Sequence, residues 1–103
     1  MDNFNVSVDS AQGRATVRPA GELDLASAPT LWSALAELVT GGHRAVVMDL
    51  SRVTFSDCAG LRPVRRAMRQ ARGLGTVIEL RDPAPAVRRV LDLTGLGAPA
   101  VLA

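Results

Sequence analysis

The hydrophobic positions of this chain include a short apolar run, residues 46–50, which begins with two β-branched valines. Such a run is typical of a central strand whose two faces are both covered, as in parallel sheets. Directly after it, Val53 and Phe55 alternate with polar residues, so the backbone is expected to stay extended. Asp57 and Gly60 then interrupt the pattern, and a helix is predicted to follow. Because ligands and partners of α/β proteins usually meet the carboxyl ends of strands, this turn is the first candidate site.

The segment before this run predicts a hairpin and a helix. Alternating apolar positions in residues 4–8 and 15–19 indicate two strands joined by a Gln-Gly turn. Residues 21–24 are expected to close this hairpin. Ser27 is a suitable cap for a helix with a proline in its first turn, and leucines at helical spacing in residues 31–39 give that helix an apolar face.

Residues 61–72 separate into two faces at helical spacing, which predicts a second, amphipathic helix. Five arginines share its polar face: Arg62, Arg65, Arg66, Arg69 and Arg72. Residues 76–80 form another short apolar run, and Asp82-Pro83 precedes a third helical pattern. Residues 100–102 are suited to a last edge strand.

The resulting order of elements, β-β-α-β-α-β-α, predicts the α/β class. We expect a single-domain mixed β-sheet, an antiparallel hairpin plus parallel strands, with helices packed on it. With 103 residues the chain is near the commonest domain size, so residues 1–103 are predicted to form one domain. Hydrophobic residues at 48% and charged residues at 21% are ordinary values for a globular protein and argue against a disordered chain.

Charge and reactive side chains narrow the function classes. A formal net charge of +2 is too small to indicate nucleic-acid binding. Cys58 has no second cysteine for a disulfide, and with His43 as the only histidine no metal site is expected. Glycine-rich nucleotide-binding motifs are absent, and no paired acid, base or nucleophile is recognisable. We therefore predict no cofactor and no catalytic residues, and do not expect an enzyme.

Segments that address proteins to membranes are not recognisable either. The first residues lack the basic and apolar regions of a signal peptide. No apolar stretch approaches the roughly 18 residues needed to span a bilayer. The expectation is a cytoplasmic protein without integral membrane insertion, present as a monomer or a weak dimer.

Three segments of the chain resemble the STAS domain family, named for sulfate transporters and anti-sigma factor antagonists. The most specific is residues 49–61, Asp-Leu-Ser-Arg-Val-Thr-Phe-Ser-Asp-Cys-Ala-Gly-Leu, which matches the family signature Asp-Leu-Ser-x-Val-x-Phe-x-Asp-Ser-Ser/Thr-Gly-Leu. Residues 21–29 resemble the family's first loop and helix start, and residues 82–96 resemble its third helix. The resemblance implies a STAS-like fold and is closest to the free-standing bacterial antagonists.

The family resemblance also implies a partner switch. An unmodified antagonist binds an anti-sigma factor, often a kinase-like ATPase, and so frees the sigma factor. Phosphorylation by that kinase, on the Ser or Thr directly before the signature glycine, releases the antagonist. A phosphate adds about −1.5 to −2 charges at a helix start that must pack against the partner, so both fit and electrostatics are lost.

This chain departs from the signature at the switch position. Asp57 and Gly60 fix the register, so Cys58 and Ala59 replace the usual pair of hydroxyl residues. Ala59 thus stands where the phosphoacceptor is expected. Because alanine cannot be phosphorylated, we expect a domain that binds its partner without switching by the usual chemistry.

The predicted partner-binding site contains seven residues: Asp24, Ser56, Asp57, Cys58, Ala59, Gly60 and Leu61. Structural roles compete with this assignment, because Asp57 also suits a helix N-cap and Asp24 a plain loop carboxylate. Cys58 is either a redox-sensitive thiol or a small packing residue. Ser56 and Thr54 are the nearest substitutes for the lost phosphoacceptor.

A second candidate surface is a basic partner face formed by Arg62, Arg65, Arg66 and Arg69. No acidic residue lies within residues 61–72 to pair with these side chains. Such a face suits an acidic partner or anionic lipid headgroups, and the alternative is a solvated helix face.

The favoured function is that of an anti-sigma factor antagonist-like protein. Its predicted partner is an anti-sigma factor or a related kinase-like ATPase, through which it regulates sigma-factor-dependent transcription. Two alternatives stay open: an accessory STAS subunit of an ABC-type lipid transporter, and a small-ligand sensor module. No nucleic-acid partner is expected.

Overall fold

The computed structural model describes residues 4–96, which form a five-stranded mixed sheet and three helices. The strands are β1 (Asn5–Ala11), β2 (Arg14–Leu23), β3 (Ala45–Asp49), β4 (Val53–Ser56) and β5 (Val77–Arg81). The helices are α1 (Ala28–Thr40), α2 (Arg62–Leu74) and α3 (Pro85–Thr94), and none of these three is long and apolar enough to cross a membrane. The predicted α/β class, a hairpin plus parallel strands with helices packed on them, is confirmed. The edge strand predicted at residues 100–102 lies outside the described residues.

The sheet is built around β2. Strand β1 pairs with it in antiparallel fashion through a turn at Gln12 and Gly13, whose φ angles are 54° and 78°. The first part of β2, residues 14–17, pairs in parallel with β3, and β5 extends the sheet beyond β3. The last part of β2, residues 21–23, pairs in parallel with β4. One long strand therefore connects the central strands to the short strand that carries the candidate site.

The prediction that residues 21–24 close the hairpin is wrong. Strand β2 continues to Leu23, because Gly21 takes a φ of 113° and the ladder shifts register there onto β4. The Gly21 amide donates a hydrogen bond to the Arg52 carbonyl at 3.0 Å. Residues 53–56, which were predicted only to be extended, form a separate strand. Gly21 therefore marks the point at which β2 changes its pairing partner, and the chain does not turn there.

The hydrophobic core lies between the sheet and the helices. Helix α1 packs against α2, and Leu31, Leu35 and Val64 on their facing sides are fully buried. From the central strand, Val46 and Met48 enter the same cluster. The apolar face predicted from helical spacing in α1 is therefore the face that forms the core.

Ion pairs cover the opposite face of β3. Val47 alternates with the core residues along the strand, and it is fully buried although it lies outside the helix-side cluster. The guanidinium of Arg14 on β2 reaches the carboxylate of Glu79 on β5 at 3.5 Å. Since β3 lies between those two strands, this pair crosses over it. The prediction that both faces of the central strand are covered holds for the helix side, where Val46 and Met48 are buried; on the other side Val47 is buried while Ala45 and Asp49 are half-buried.

Asp49 ends β3 and orders the turn that leads to β4. Its Oδ1 accepts a hydrogen bond from the Ser51 amide at 3.0 Å, and its Oδ2 lies 3.8 Å from Nε of Arg18. The hydrogen bonds from Ser51, together with the charges of Arg18 and Arg52, lower the pKa of the Asp49 carboxyl below its ordinary value of 3.8. The ionised carboxylate is therefore the form that stabilises the fold.

We expect the substitution Asp49→Asn to make unfolding less dependent on pH. The amide oxygen can still accept from Ser51, but the charge is removed. A folded-state pKa below the unfolded one gives stability that is present above pH 3.8 and is lost as the pH falls further. Urea unfolding should show the variant less stable by about 1 kcal/mol at neutral pH, and the difference should shrink near pH 2. An equal difference at both pH values would contradict this role.

Candidate functional site

The carboxyl ends of β2 and β4 lie side by side, because the two strands pair in parallel with Leu23 opposite Ser56. The Asp57 amide donates to the Leu23 carbonyl at 3.2 Å, so the contact continues beyond the strands. Two loops leave this edge of the sheet: residues 24–27 lead into α1 and residues 57–61 lead into α2. We call these two loops the corner. It contains six of the seven residues predicted for the partner-binding site, and Ser56 directly precedes it.

The first loop of the corner is organised by Asp24. Its Oδ1 accepts hydrogen bonds from the amides of Ala26 and Ser27, each at 3.0 Å. The Ser27 hydroxyl donates to the Glu22 carbonyl at 2.8 Å and accepts from the Asp24 amide at 2.9 Å. Ser27 does precede α1, but its side chain makes no cap bond to the helix. The predicted cap thus stabilises the loop, and Asp24 acts first as a structural carboxylate.

The second loop of the corner is organised by Asp57. Its Oδ1 accepts a hydrogen bond from the Gly60 amide at 2.8 Å. The following amide of Leu61 donates to the Cys58 carbonyl at 3.2 Å, which closes a tight turn before the helix. The structural alternative for Asp57 therefore holds as an acceptor of a backbone amide, but the N-cap position of α2 is Leu61, because the helix begins only after that residue. Pro63 accounts for the delayed start, because its ring fits the first helical turn, where no amide partner is needed.

Gly60 brings the two loops into direct contact. A Cβ atom at this position would lie 2.1 Å from the Leu23 carbonyl oxygen and 2.8 Å from the Asp24 amide nitrogen. Both distances are far inside van der Waals contact, and the atoms they involve belong to the backbone. Only glycine allows the second loop to pack this closely on the end of β2. The signature glycine is therefore required by the fold at this point.

The remaining predicted site residues divide into buried and accessible ones. Ser56 and Leu61 are buried, and the Ser56 hydroxyl contacts the Asp57 carbonyl at 3.2 Å. Cys58 is exposed and Ala59 is half-buried, so these two residues form the accessible part of the second loop. Thr54 is also exposed, whereas burial makes Ser56 a poor substitute phosphoacceptor.

Ala59 lies in an open groove where the corner meets α1 and α2. We call it the corner groove; its volume is about 280 Å³, and its lining residues are Leu25, Ala28, Pro29, Trp32, Ala59, Arg62, Pro63 and Arg66. Leu25 is 68% exposed, which is unusual for a leucine beside an apolar groove. Leu25 and Trp32 are absent from the predicted site. The sequence offered a signal for each of them: Leu25 is a leucine within a polar loop, and Trp32 lies at the border of the buried face of α1.

The four arginines of the predicted basic face differ in what they contact. The Arg65 guanidinium donates to the Thr94 carbonyl at the end of α3, at 2.7 Å. The Arg66 guanidinium lies 4.1 Å from the centre of the Trp32 ring, in a cation–π contact. Arg69 is exposed. Two of the four arginines thus hold neighbouring elements together, and Arg62 and Arg66 face the corner groove.

A metal centre finds no support among the residues that the structure describes. Within residues 4–96, no three side chains of His, Cys, Asp or Glu are close enough to hold an ion. The carboxylates of Asp24 and Asp57 already accept backbone hydrogen bonds. What the corner offers is a surface of ordered backbone and apolar side chains with a basic rim.

Comparison with known sequences points to one family. A family model described as "Mlab, STAS domain" matches residues 6–103. BtrV of Bordetella bronchiseptica is 32% identical over 92 residues, which cover 89% of this chain and 79% of BtrV. The anti-sigma-F factor antagonist RsfB of Mycobacterium tuberculosis is 32% identical over 95 residues, which cover 92% of this chain and 77% of RsfB.

Solved structures agree with the sequence comparison. An anti-sigma factor antagonist from Mycobacterium paratuberculosis superposes with a TM-score of 0.83 and 33% identity, over 92% of this chain and 80% of that one. The unphosphorylated form of the anti-sigma factor antagonist SpoIIAA gives a TM-score of 0.82 over 96% of this chain and 86% of that one. At 22% identity, the second similarity supports the fold alone.

We predict opposite effects for two glycine-to-alanine substitutions. Gly60→Ala should lower the free energy of unfolding by roughly 2–4 kcal/mol, because its Cβ would collide with the backbone of Leu23. Gly73→Ala in α2 is the matched control, since its Cβ would meet no atom within 4 Å. The control should be more stable than wild type by about 0.5–1 kcal/mol. Thermal or urea unfolding measures both, and a Gly60→Ala protein as stable as wild type would refute the close contact.

Proposed function

This chain belongs to the STAS domain family, and from that premise we propose that it binds an anti-sigma factor and thereby regulates sigma-factor-dependent transcription. RsfB, a relative covering 92% of the chain, is named as an anti-sigma-F factor antagonist. The partner is expected to be an anti-sigma factor of the kinase-like type, which places the interaction in the cytoplasm. The chain itself acts as a binding protein and not as a catalyst.

One observation carries this proposal: the corner is held together by contacts within the chain, and the residue at its expected switch position is a neutral, half-buried alanine. Asp24 and Asp57 each hold their own loop, and Gly60 joins the loops. Ala59 is half-buried at the groove and brings no charge to it. Because little ordering remains to be done when a partner binds, the conformational cost of association is small.

The same geometry explains why a phosphate at this position would abolish binding. A phosphoryl group on residue 59 would project about −1.5 to −2 charges into the groove between Leu25 and Pro63. A partner that packs there would have to desolvate that charge. Alanine removes this option, so we propose that the chain stays in the binding form whether or not ATP is present.

The partner class is tested by co-purification. The tagged chain should retain one anti-sigma factor from a panel of all anti-sigma factors and transporter ATPases of the same cell, with a dissociation constant in or below the micromolar range. Retention of a transporter ATPase instead would favour the alternative of a transport subunit. Retention of neither would leave the proposed function without its partner and contradict it.

The switch position is tested by substitutions of Ala59. Ala59→Ser should keep binding in the absence of ATP, because a hydroxyl adds little volume and no charge. In the presence of ATP and the kinase-like anti-sigma factor, the serine variant should gain one phosphate and lose affinity, whereas wild type should gain none. Mass spectrometry together with a binding titration checks both statements. Phosphate found on wild type, at Thr54 or any other residue, would overturn the claim that this chain does not switch.

A further inference from the structure

The corner groove combines an apolar lining with a positively charged rim. Leu25, Trp32 and Pro63 supply the apolar surface, and Arg62 and Arg66 supply the charges. None of the residues that line the groove is acidic. An exposed apolar surface bordered by charge of one sign is typical of a binding site for a partner of the opposite sign.

The two arginines hold their charge at the groove in different ways. Arg66 is fixed over the Trp32 ring at 4.1 Å, so its guanidinium stays beside the apolar surface. Arg62 begins α2, and within residues 4–96 it has no ion-pair partner. Its guanidinium is therefore available to a carboxylate from outside the chain.

The size and position of the groove limit what it can bind. About 280 Å³ is at or below the lower end for small-molecule pockets, and the groove is open, so it cannot enclose a ligand. A lipid surface needs several cations on one face. Of the arginines of α2, Arg62 and Arg66 line the groove, whereas Arg65 is turned to the Thr94 carbonyl. One or two apolar side chains of a protein segment fit the space that remains.

We propose that the corner groove binds an acidic segment of the protein partner. In this arrangement the segment places a Leu, Ile or Phe side chain against Leu25 and Trp32, and an Asp or Glu carboxylate beside Arg62. The inference rests on the proposed function, since it assumes that the partner docks at the corner. It adds the chemistry of the segment that is recognised.

A second depression, lined by residues of α3 and the loop before it, is a weaker candidate. It is larger, at about 530 Å³, but its lining includes Asp92 beside Arg88 and Arg89. Its charges therefore oppose one another locally. No residue of the corner contributes to it. We place the acidic segment in the corner groove for that reason.

The experiment is a selection of short peptides from a random-sequence phage library on the immobilised full chain, wild type and two variants. Arg62→Glu reverses the free charge at the groove. This change should not weaken the fold, because a carboxylate at the first residue of α2 favours the helix dipole. Arg89→Glu on α3 is the matched control, with the same change of charge at an exposed position outside the groove.

Peptides selected by wild type are expected to contain Asp or Glu next to Leu, Ile or Phe. They should bind Arg62→Glu about tenfold more weakly or worse, and Arg89→Glu as tightly as wild type. Binding should also change the fluorescence of Trp32, the only tryptophan of the chain. The proposal is overturned if no peptide is selected, if the selected peptides lack acidic residues, or if both variants lose affinity equally.

Two further arms separate this inference from its alternatives. Vesicles of phosphatidylglycerol in phosphatidylcholine test the lipid source of negative charge, and binding to them without selection of any acidic peptide would overturn the proposal. If an anti-sigma factor binds wild type and Arg62→Glu equally, the proposed function stands and the groove is rejected as its docking site. If acidic peptides bind the groove but no anti-sigma factor co-purifies with the chain, the groove stands as a binding site and the proposed function is rejected.

Discussion

The close approach of Gly60 to the backbone of Leu23 and Asp24 is the constraint on which the site depends. It is available only because β2 and β4 pair in parallel and present their carboxyl ends at the same edge. The missing side chain of Gly60 then lets the second loop rest on the first. Asp24 and Asp57 each accept hydrogen bonds from the loop that follows them, so the corner is held together by contacts within the chain. A partner therefore meets a surface that is already formed.

The contacts within the corner assign a physical role to most residues of the segment 49–61. Asp49 orders a turn, Ser56 and Leu61 are buried, and Gly60 makes a backbone contact. Most of these residues thus maintain the shape of the corner. Cys58 and Ala59 are the accessible ones, and they are the positions at which this chain departs from the usual hydroxyl residues. If position 59 is the switch position, as we propose, its alanine alters the chemistry of the surface without altering the fold that supports it.

Much of the fold follows from the sequence because local patterns decide it. Helical spacing in α1 and α2 identifies their buried faces, and the apolar run of β3 identifies the central strand. Contacts between distant segments are less predictable. The continuation of β2 past Gly21 depends on its pairing with β4, and the engagement of Arg65 depends on where α3 ends. The corner groove was missed because its lining comes from two distant segments, residues 25–32 and 59–66, which meet only when α1 and α2 pack together.

The central claim is that this chain releases a sigma factor from its anti-sigma factor and that ATP does not reverse the release. The direct measurement is fluorescence anisotropy of a labelled sigma factor in a preformed complex with the anti-sigma factor, as this chain is added with and without ATP. Our account predicts the same fall in anisotropy in both conditions. A sigma factor that stays bound without ATP would contradict antagonism, and one that is recaptured after ATP is added would contradict a permanently active form.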